Sequence, residues 1–377
     1  MSLATLFPFM KIFKIRFIQY SMNTLSVCII AKDEEKLLGR CLGSVAELAD
    51  EIVVVDTGST DDTVKIARAF TQHVYPFTWC DDFSKARNFA FSKATSDYIL
   101  WLDADDVLPD DSRRGIARLK EQWTDEDVVM LPYIAAFDEG GNPSFTYYRE
   151  RILRREGNFL WRDPVHEAIV PHGKIVYENF PVEHRKERAG DPLRNLKIYL
   201  KLLSGGKKLT ARQQFYYANE LFYNRLYTEA ESVYEQYLKE PAMLENKLQA
   251  HINLARIRAE RSPDEALVTL FSAFVLSPPS PELICEIGVN FMRKKDYRQA
   301  IYWYERAIRP LPRETLAFLQ PDCYGYIPYV QTALCHYYLG ELTRAVEDNA
   351  KALALKPYGS VAKSNDAFYR ALQQKND

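Results

Sequence analysis

Residues 98–106, YILWLDADD, end an apolar run in the carboxylates Asp103, Asp105 and Asp106. Oxygen ligands of this kind suit a small divalent cation such as Mg2+ or Mn2+. Two carboxylates two residues apart on extended backbone point the same way, so Asp103 and Asp105, flanking Ala104, form a candidate clamp for one ion. A cation held there can bridge the phosphates of a departing nucleoside diphosphate and offset its developing charge. Asp-x-Asp alone is a weak signal, because any acidic turn supplies it.

Further polar groups stand at matching places. In residues 53–63, VVVDTGSTDDT, Asp56 ends a buried run, where a carboxylate can accept a hydrogen bond from a base or ribose. Gly58 permits close backbone approach, and Ser59 with Asp62 has the spacing of a capping box. In residues 25–35, LSVCIIAKDEE, a third apolar run ends in the polar turn containing Ala31, Asp33 and Glu34. Residues 81–88, DDFSKARN, place Lys85 and Arg87 just before the acidic strand; Arg offers a fork suited to phosphate oxygens, while a solvated helix face is the structural alternative.

The elements that position these groups alternate. Strands are expected at 25–31, 51–55, 74–76 and 98–102, with helices at 34–48, 63–70 and 84–94. Near-continuous apolar strands separated by helices mean a parallel sheet covered on both faces, which binds ligands beyond the carboxyl ends of its strands. After residue 110 the pattern changes to strands at 128–137, 145–155 and 174–178, a mixed second half of the same domain.

The three N-terminal segments together resemble the inverting family-2 glycosyltransferases of the GT-A fold, strongly over residues 24–110 and more loosely to 190. The resemblance implies that Ala31 and Asp56 contact the nucleobase and ribose of a nucleotide sugar. It makes Asp103 and Asp105 the Asp-x-Asp pair, with Asp105 the direct metal ligand, and gives Lys85 and Arg87 to the diphosphate. Asp33 departs from the family's usual Asn; both residue types cap helices. In residues 159–169, FLWRDPVHEAI, His166-Glu167 occupy the place of a family V-H-E, which makes Glu167 the base that inverting transfer requires and His166 its orienting partner or substitute. If the segment is a strand, only one of the two faces the site. His184, in PVEHRK, could complete the metal or diphosphate site. Trp101 and Trp161 are read as packing, with the acceptor cleft the alternative place for Trp161.

From residue 211 the chain repeats. YTEAESVYEQYLKEP at 227–241 matches DYRQAIYWYERAIRP at 296–310, with further copies at 262–278 and 341–357. Ala230, Ala266, Ala300 and Ala345 recur at intervals of 36, 34 and 45, and Pro241, Pro278, Pro310 and Pro357 close the units. A period near 34 resembles the tetratricopeptide repeat, in which small residues let paired helices approach and aromatics fill between pairs. The long last interval implies an insertion around residues 313–326.

The expected organisation is an arm at 1–22, an α/β GT-A domain at 23–190, a helical connector at 191–210 and all-α repeats at 211–377. The arm mixes Phe7, Phe9, Phe13 and Phe17 with Lys11, Lys14 and Arg16, too broken for a membrane span, so it is a start-site remnant or a weak amphipathic membrane contact. A net charge of −2 gives no electrostatic case for nucleic acid, and six scattered cysteines fit reduced, mostly buried thiols in a cytoplasmic, at most membrane-peripheral, protein. The resemblance implies metal-dependent transfer from a nucleotide sugar, expected to be a UDP-sugar, to a peptide or glycan acceptor. The same layout of a transferase followed by helical repeats resembles bacterial peptide S-glycosyltransferases of the bacteriocin type. The repeats would hold a peptide, a partner protein or a second copy; the alternative is an inactive transferase–repeat scaffold that binds a protein. A nucleotidyltransferase is disfavoured, because AKDEEK follows the first strand where such enzymes need a Gly-rich basic loop.

Overall fold

The computed structural model describes residues 23–123, 125–187, 190–312 and 319–376. The N-terminal arm, and residues 313–318 of the expected insertion, lie outside the described residues. The chain opens with β1 (Leu25–Ala31), α1 (Leu38–Val45), β2 (Glu51–Asp56), α2 (Thr63–Phe70), β3 (Val74–Pro76), α3 (Phe83–Phe91) and β4 (Tyr98–Asp103). These strands pair in parallel in the order β3-β2-β1-β4. Leu25, Val27 and Ile29 of β1 pack toward Leu38 and Leu42 of α1, while Cys28 joins Val53, Val55 and Ala90 on the opposite face. Burial on both faces is why these strands read as unbroken apolar runs. The register sets Ala31 beside Asp56 and Ile30 beside Asp103, so the polar ends of three strands share one rim.

The second half adds β5 (Asp106–Val107), α4 (Asp110–Gln122), β6 (Val128–Phe137), β7 (Pro143–Arg154), β8 (Ile175–Tyr177) and β9 (Val182–His184). β7 runs antiparallel to β4, β6 antiparallel to β7, and β9 parallel to β6. The two-residue β5 then pairs antiparallel with β9, which sets Asp106 opposite His184. The sheet is mixed, as the change of pattern after residue 110 implies.

Two local expectations need correction. The first helix starts at Leu38, not at residue 34, because Asp33 adopts a left-handed backbone with φ 53° and the chain turns through residues 35–37 first. Asp33 therefore caps no helix; its carboxylate accepts from Thr60 N at 2.7 Å and its own N–H donates to Ser59 Oγ at 2.9 Å, tying two loops together. α2 starts at Thr63 with Asp62, not Ser59, at its N-cap position, so the anticipated capping box does not form and the helix begins without a side-chain cap.

Helices fill the remainder: α5 (Arg194–Ser204), α6 (Ala211–Tyr223), α7 (Tyr227–Tyr237), α8 (Leu244–Ala259), α9 (Pro263–Ser272), α10 (Pro281–Arg293), α11 (Tyr297–Ala307), α12 (Tyr326–Tyr338), α13 (Leu342–Leu355) and α14 (Ser360–Asn376). The recurring Ala230, Ala266, Ala300 and Ala345 fall in α7, α9, α11 and α13, each fully buried. Tyr234, Tyr237 and Tyr304 are buried between helices, three of the chain's 24 tyrosines filling the space between helix pairs. The described part of the insertion reaches back to the α/β unit. Leu319 bridges Thr146 of β7, and Lys356 Nζ pairs with Asp138 at 2.8 Å and Asp322 at 2.7 Å.

Close helix approach gives a stability prediction. A methyl added at Gly288 in α10 would lie 2.5 Å from the Tyr304 ring of α11. Gly288→Ala gains about 1 kcal/mol of helix propensity but overpacks a rigid ring at about 1–3 kcal/mol. Thermal unfolding should therefore shift down by a few degrees; an upward shift would show that the ring yields.

Candidate active site

Asp103 ends β4, Ala104 and Asp105 form a turn, and Asp106 opens β5. The turn breaks the alternation assumed for Asp-x-Asp, and Asp103 is not among the residues whose ligand atoms cluster. Asp105 and Asp106 instead face His184, and ligand atoms of all three lie within 4.8 Å of one another. His184 Nδ1 is 3.4 Å from an oxygen of each aspartate and is buried without an aligned hydrogen bond among the described residues. Burial alone would pull the imidazole pKa down; the adjoining Asp105 and Asp106 carboxylates outweigh it and push it up to about 10. Two carboxylates and an imidazole converging on one buried point are a donor set that fits a divalent cation.

Asp106 is fully buried and further constrained. Its carboxylate accepts from Arg151 Nη1 at 3.0 Å, Tyr133 OH at 3.0 Å and Asp103 N at 3.0 Å. The Arg151 guanidinium lies 3.8 Å from the Trp101 ring centroid and 4.4 Å from that of Tyr133. Those ring faces stabilise a cation whose Nε and Nη2 have no hydrogen-bond partner among the described residues. Removing one member of a fully buried ion pair typically costs about 3–5 kcal/mol. Arg151→Ala should lower the unfolding free energy by about that amount in chemical denaturation, and a change below about 1 kcal/mol would refute the pairing's structural role.

Arg87 anchors the other half. From α3, its Nη2 donates to Asp103 Oδ1 at 2.5 Å and its Nε to Glu167 Oε1 at 2.6 Å. The guanidinium rests 4.7 Å from the Trp161 ring and 5.1 Å from Trp101, which form a T-shaped pair at 4.7 Å. Burial alone would raise the Asp103 carboxyl pKa, but Arg87, followed by Arg151, holds it well below the usual range. Asp103 is therefore occupied by arginine and stands apart from the cation cluster. The two tryptophans are buried packing residues, and Trp101 also lines the cavity.

Glu167 and His166 sit on a loop rather than a strand. Residues 162–168 are closed by the Arg162–Ala168 bridge, and Asp163 and His166 take left-handed φ values of 74° and 51°. The left-handed residue, rather than strand alternation, separates neighbouring side chains here. Glu167 turns to Arg87, and His166 turns to α6, its Nε2 2.7 Å from Glu220 Oε1 and its ring stacked on Tyr216 at 4.4 Å.

These groups face one cavity of about 980 Å3. Ala31, Asp33 and Glu34 line it together with Arg87, Asp103, Ala104 and Asp105 and with His166, Glu167 and His184. Asp56 is not in the wall; its carboxylate accepts from Gly58 N and Ser59 N at 3.2 Å and shapes the turn at Gly58, where φ is 104°. Lys85 is not brought to the cavity either; its exposed ammonium lies 3.6 Å from Asp82. Asp106, Arg151 and the cavity-lining Arg149, Tyr133 and Tyr147 were not singled out from sequence. The alternation Arg149-Glu150-Arg151 in β7 was the available sign, since like charges two apart on a strand share a face.

Residues 26–174 match the family model described as Glycosyl transferase family 2. A sheet of this order, followed by helix pairs, defines the class: over the matched residues an α/β domain of GT-A type that resembles family 2 glycosyl transferases, followed by tetratricopeptide-type repeats. The chain is similar to a TPR repeat-containing protein of Synechococcus elongatus, 35% identical over 41% of this chain and 37% of that protein. It is also similar to the SPbeta prophage-derived glycosyltransferase SunS of Bacillus subtilis, 32% identical over 47% of this chain and 39% of that protein. The matched stretch thus spans under half the length of either relative. Among solved structures, S. aureus TarS 1–349 aligns over 73% of this chain and 91% of that one, with TM-score 0.35 and 16% identity.

Proposed function

We propose that this chain is an inverting glycosyltransferase that moves a sugar from a UDP-sugar to a peptide or glycan acceptor, with Mg2+ or Mn2+ held by Asp105, Asp106 and His184. The observation that carries the reading is one cavity lined both by Glu167 and by Asp105 and His184 of the three-residue cation cluster. When bound, the cation would supply charge neutralisation to a diphosphate leaving group. The chain's own residues do the rest. Ala31, Asp33 and Glu34 form the wall that receives the nucleoside. Glu167 takes the proton from the acceptor as it attacks the anomeric carbon, and Arg87 fixes the direction of its carboxylate. Asp103 keeps Arg87 from swinging away from Glu167. The helical repeats offer a surface for a peptide acceptor, a protein partner or a second copy.

Nucleotide release from a panel of UDP-, GDP- and dTDP-sugars, with Mn2+ or with EDTA, tests this reading. Metal-dependent release from a UDP-sugar is expected. Release that EDTA leaves untouched would remove the cation from the account, and release from a GDP-sugar alone would change the donor.

A further inference from the structure

We propose that α6, the first helix of the repeat region, is part of the catalytic apparatus, with Glu220 as the residue that positions the Glu167 loop through His166. The inference rests on the transferase reading for what Glu167 does, but its geometry stands independently.

Arg212, Tyr216 and Glu220 recur every four residues on α6 and so form one stripe along the helix. All three grip the loop that carries Glu167. Arg212 Nη1 donates to His166 O at 2.6 Å and pairs with Asp163 Oδ2 at 2.9 Å, while Gln213 Nε2 donates to the other Asp163 oxygen at 2.7 Å. Tyr216 stacks on the imidazole with the ring planes 13° apart. Glu220 is 7% exposed and closes the set at His166 Nε2, its Oε1 also accepting from Asn195 Nδ2 at 3.0 Å. The residues gripped, Asp163 and His166, are the two that hold left-handed backbone in this loop. Such conformations persist only where surrounding structure over-determines them, and here the surrounding structure is α6. From the opposite side Arg87 holds Glu167. The carboxylate is thus fixed between the transferase sheet and the repeats, and loosening α6 lets it drift.

Neither strand alternation nor repeat packing requires these contacts. A repeat helix held only by its neighbours needs the apolar stripe Phe215, Ala218 and Leu221, which faces the adjoining helices. The Arg212–Tyr216–Glu220 stripe faces the active-site loop, although Tyr216 also touches the apolar stripe at Phe215, and Glu220 lies behind the cavity-lining His166 and Asn195, bonded to both.

The test compares wild type with Glu220→Ala, Glu220→Gln, Tyr216→Leu, His166→Ala and the double variant His166→Ala/Glu220→Ala, in the full chain. Amide hydrogen exchange is read over residues 162–168, and UDP release is read across UDP-sugars with Mn2+. Glu220→Ala should speed exchange in the loop by at least about tenfold while the sheet strands stay protected. Its kcat should fall by about 10- to 100-fold with donor KM within about twofold, because a misplacement near 1 Å carries a penalty of that order. Glu220→Gln, which keeps an acceptor oxygen, should recover most of the rate. The double variant should be no slower than His166→Ala alone. If Glu220→Ala does not fold, Tyr216→Leu reads the same clamp. Unchanged loop exchange in the folded variants, or additive losses in the double variant, would overturn the proposal. Faster loop exchange in a protein whose wild type releases nucleotide from no donor would uphold the clamp and remove the transferase reading.

Discussion

Asp105→Ala should lower Mn2+-dependent nucleotide release by about 10^3-fold, equivalent to about 4 kcal/mol of transition-state stabilisation. Of the three clustered groups, Asp105 is the least committed elsewhere. Asp106 is fully buried and engaged by Arg151, Tyr133 and the Asp103 backbone. His184 is fixed by its place in β9 opposite Asp106. Deleting Asp105 therefore removes a cation ligand but leaves His184 beside Asp106 and Asp106 with Arg151, so the fold should survive. Unfolding temperature within a few degrees of wild type, with the rate lost, is the expected combination. The contrast with Asp103→Ala is informative. That change frees Arg87 from one partner and disturbs Glu167, but leaves the cluster intact, so Mn2+ affinity should hold while kcat falls. Equal losses of Mn2+ affinity in both variants would return Asp103 to the ligand set and contradict the geometry.

Glu167→Gln should reduce kcat by about 10^2- to 10^4-fold with little change in donor KM, the range that general bases supply. Glutamine keeps the shape and an oxygen for the Arg87 Nε–H, so the loop should stay in place while proton acceptance is lost. Arg87→Lys is the companion: an ammonium cannot reproduce the fork that spans Asp103 and Glu167, so a loss nearly as large is expected. A kcat for Glu167→Gln within about threefold of wild type would pass the base role to another group, and His166 would be the next to test.

The parallel half of the sheet was legible because β1, β2 and β4 are buried on both faces and leave an unmistakable apolar signature. The repeats were legible because Ala230, Ala266, Ala300 and Ala345 must be small for helix pairs to close. Strand ends placed Ala31, Asp33, Asp56, Asp103 and Asp105 on one rim, and all but Asp56 line the cavity. What escaped depended on contacts distant in sequence. Asp106 becomes a cluster member only because the two-residue β5 pairs with β9, and nothing local in DADD says which aspartate turns inward. Asp103 looked like a ligand until Arg87, sixteen residues earlier, was seen to occupy it. Lys85 and Arg87 share a helix two residues apart, and therefore point to different sides; only Arg87 reaches the cavity. The role of α6 was invisible, since its contacts with residues 163 and 166 cross from one folding unit to another.

Calorimetric titration of UDP into the wild type with Mn2+, repeated with EDTA and with Asp105→Ala and Glu167→Gln, tests the central claim most directly. The account predicts binding that needs Mn2+, is lost in Asp105→Ala and is kept in Glu167→Gln. Binding of UDP that is equally strong in EDTA and in Asp105→Ala, or no binding with Mn2+ present, would contradict it.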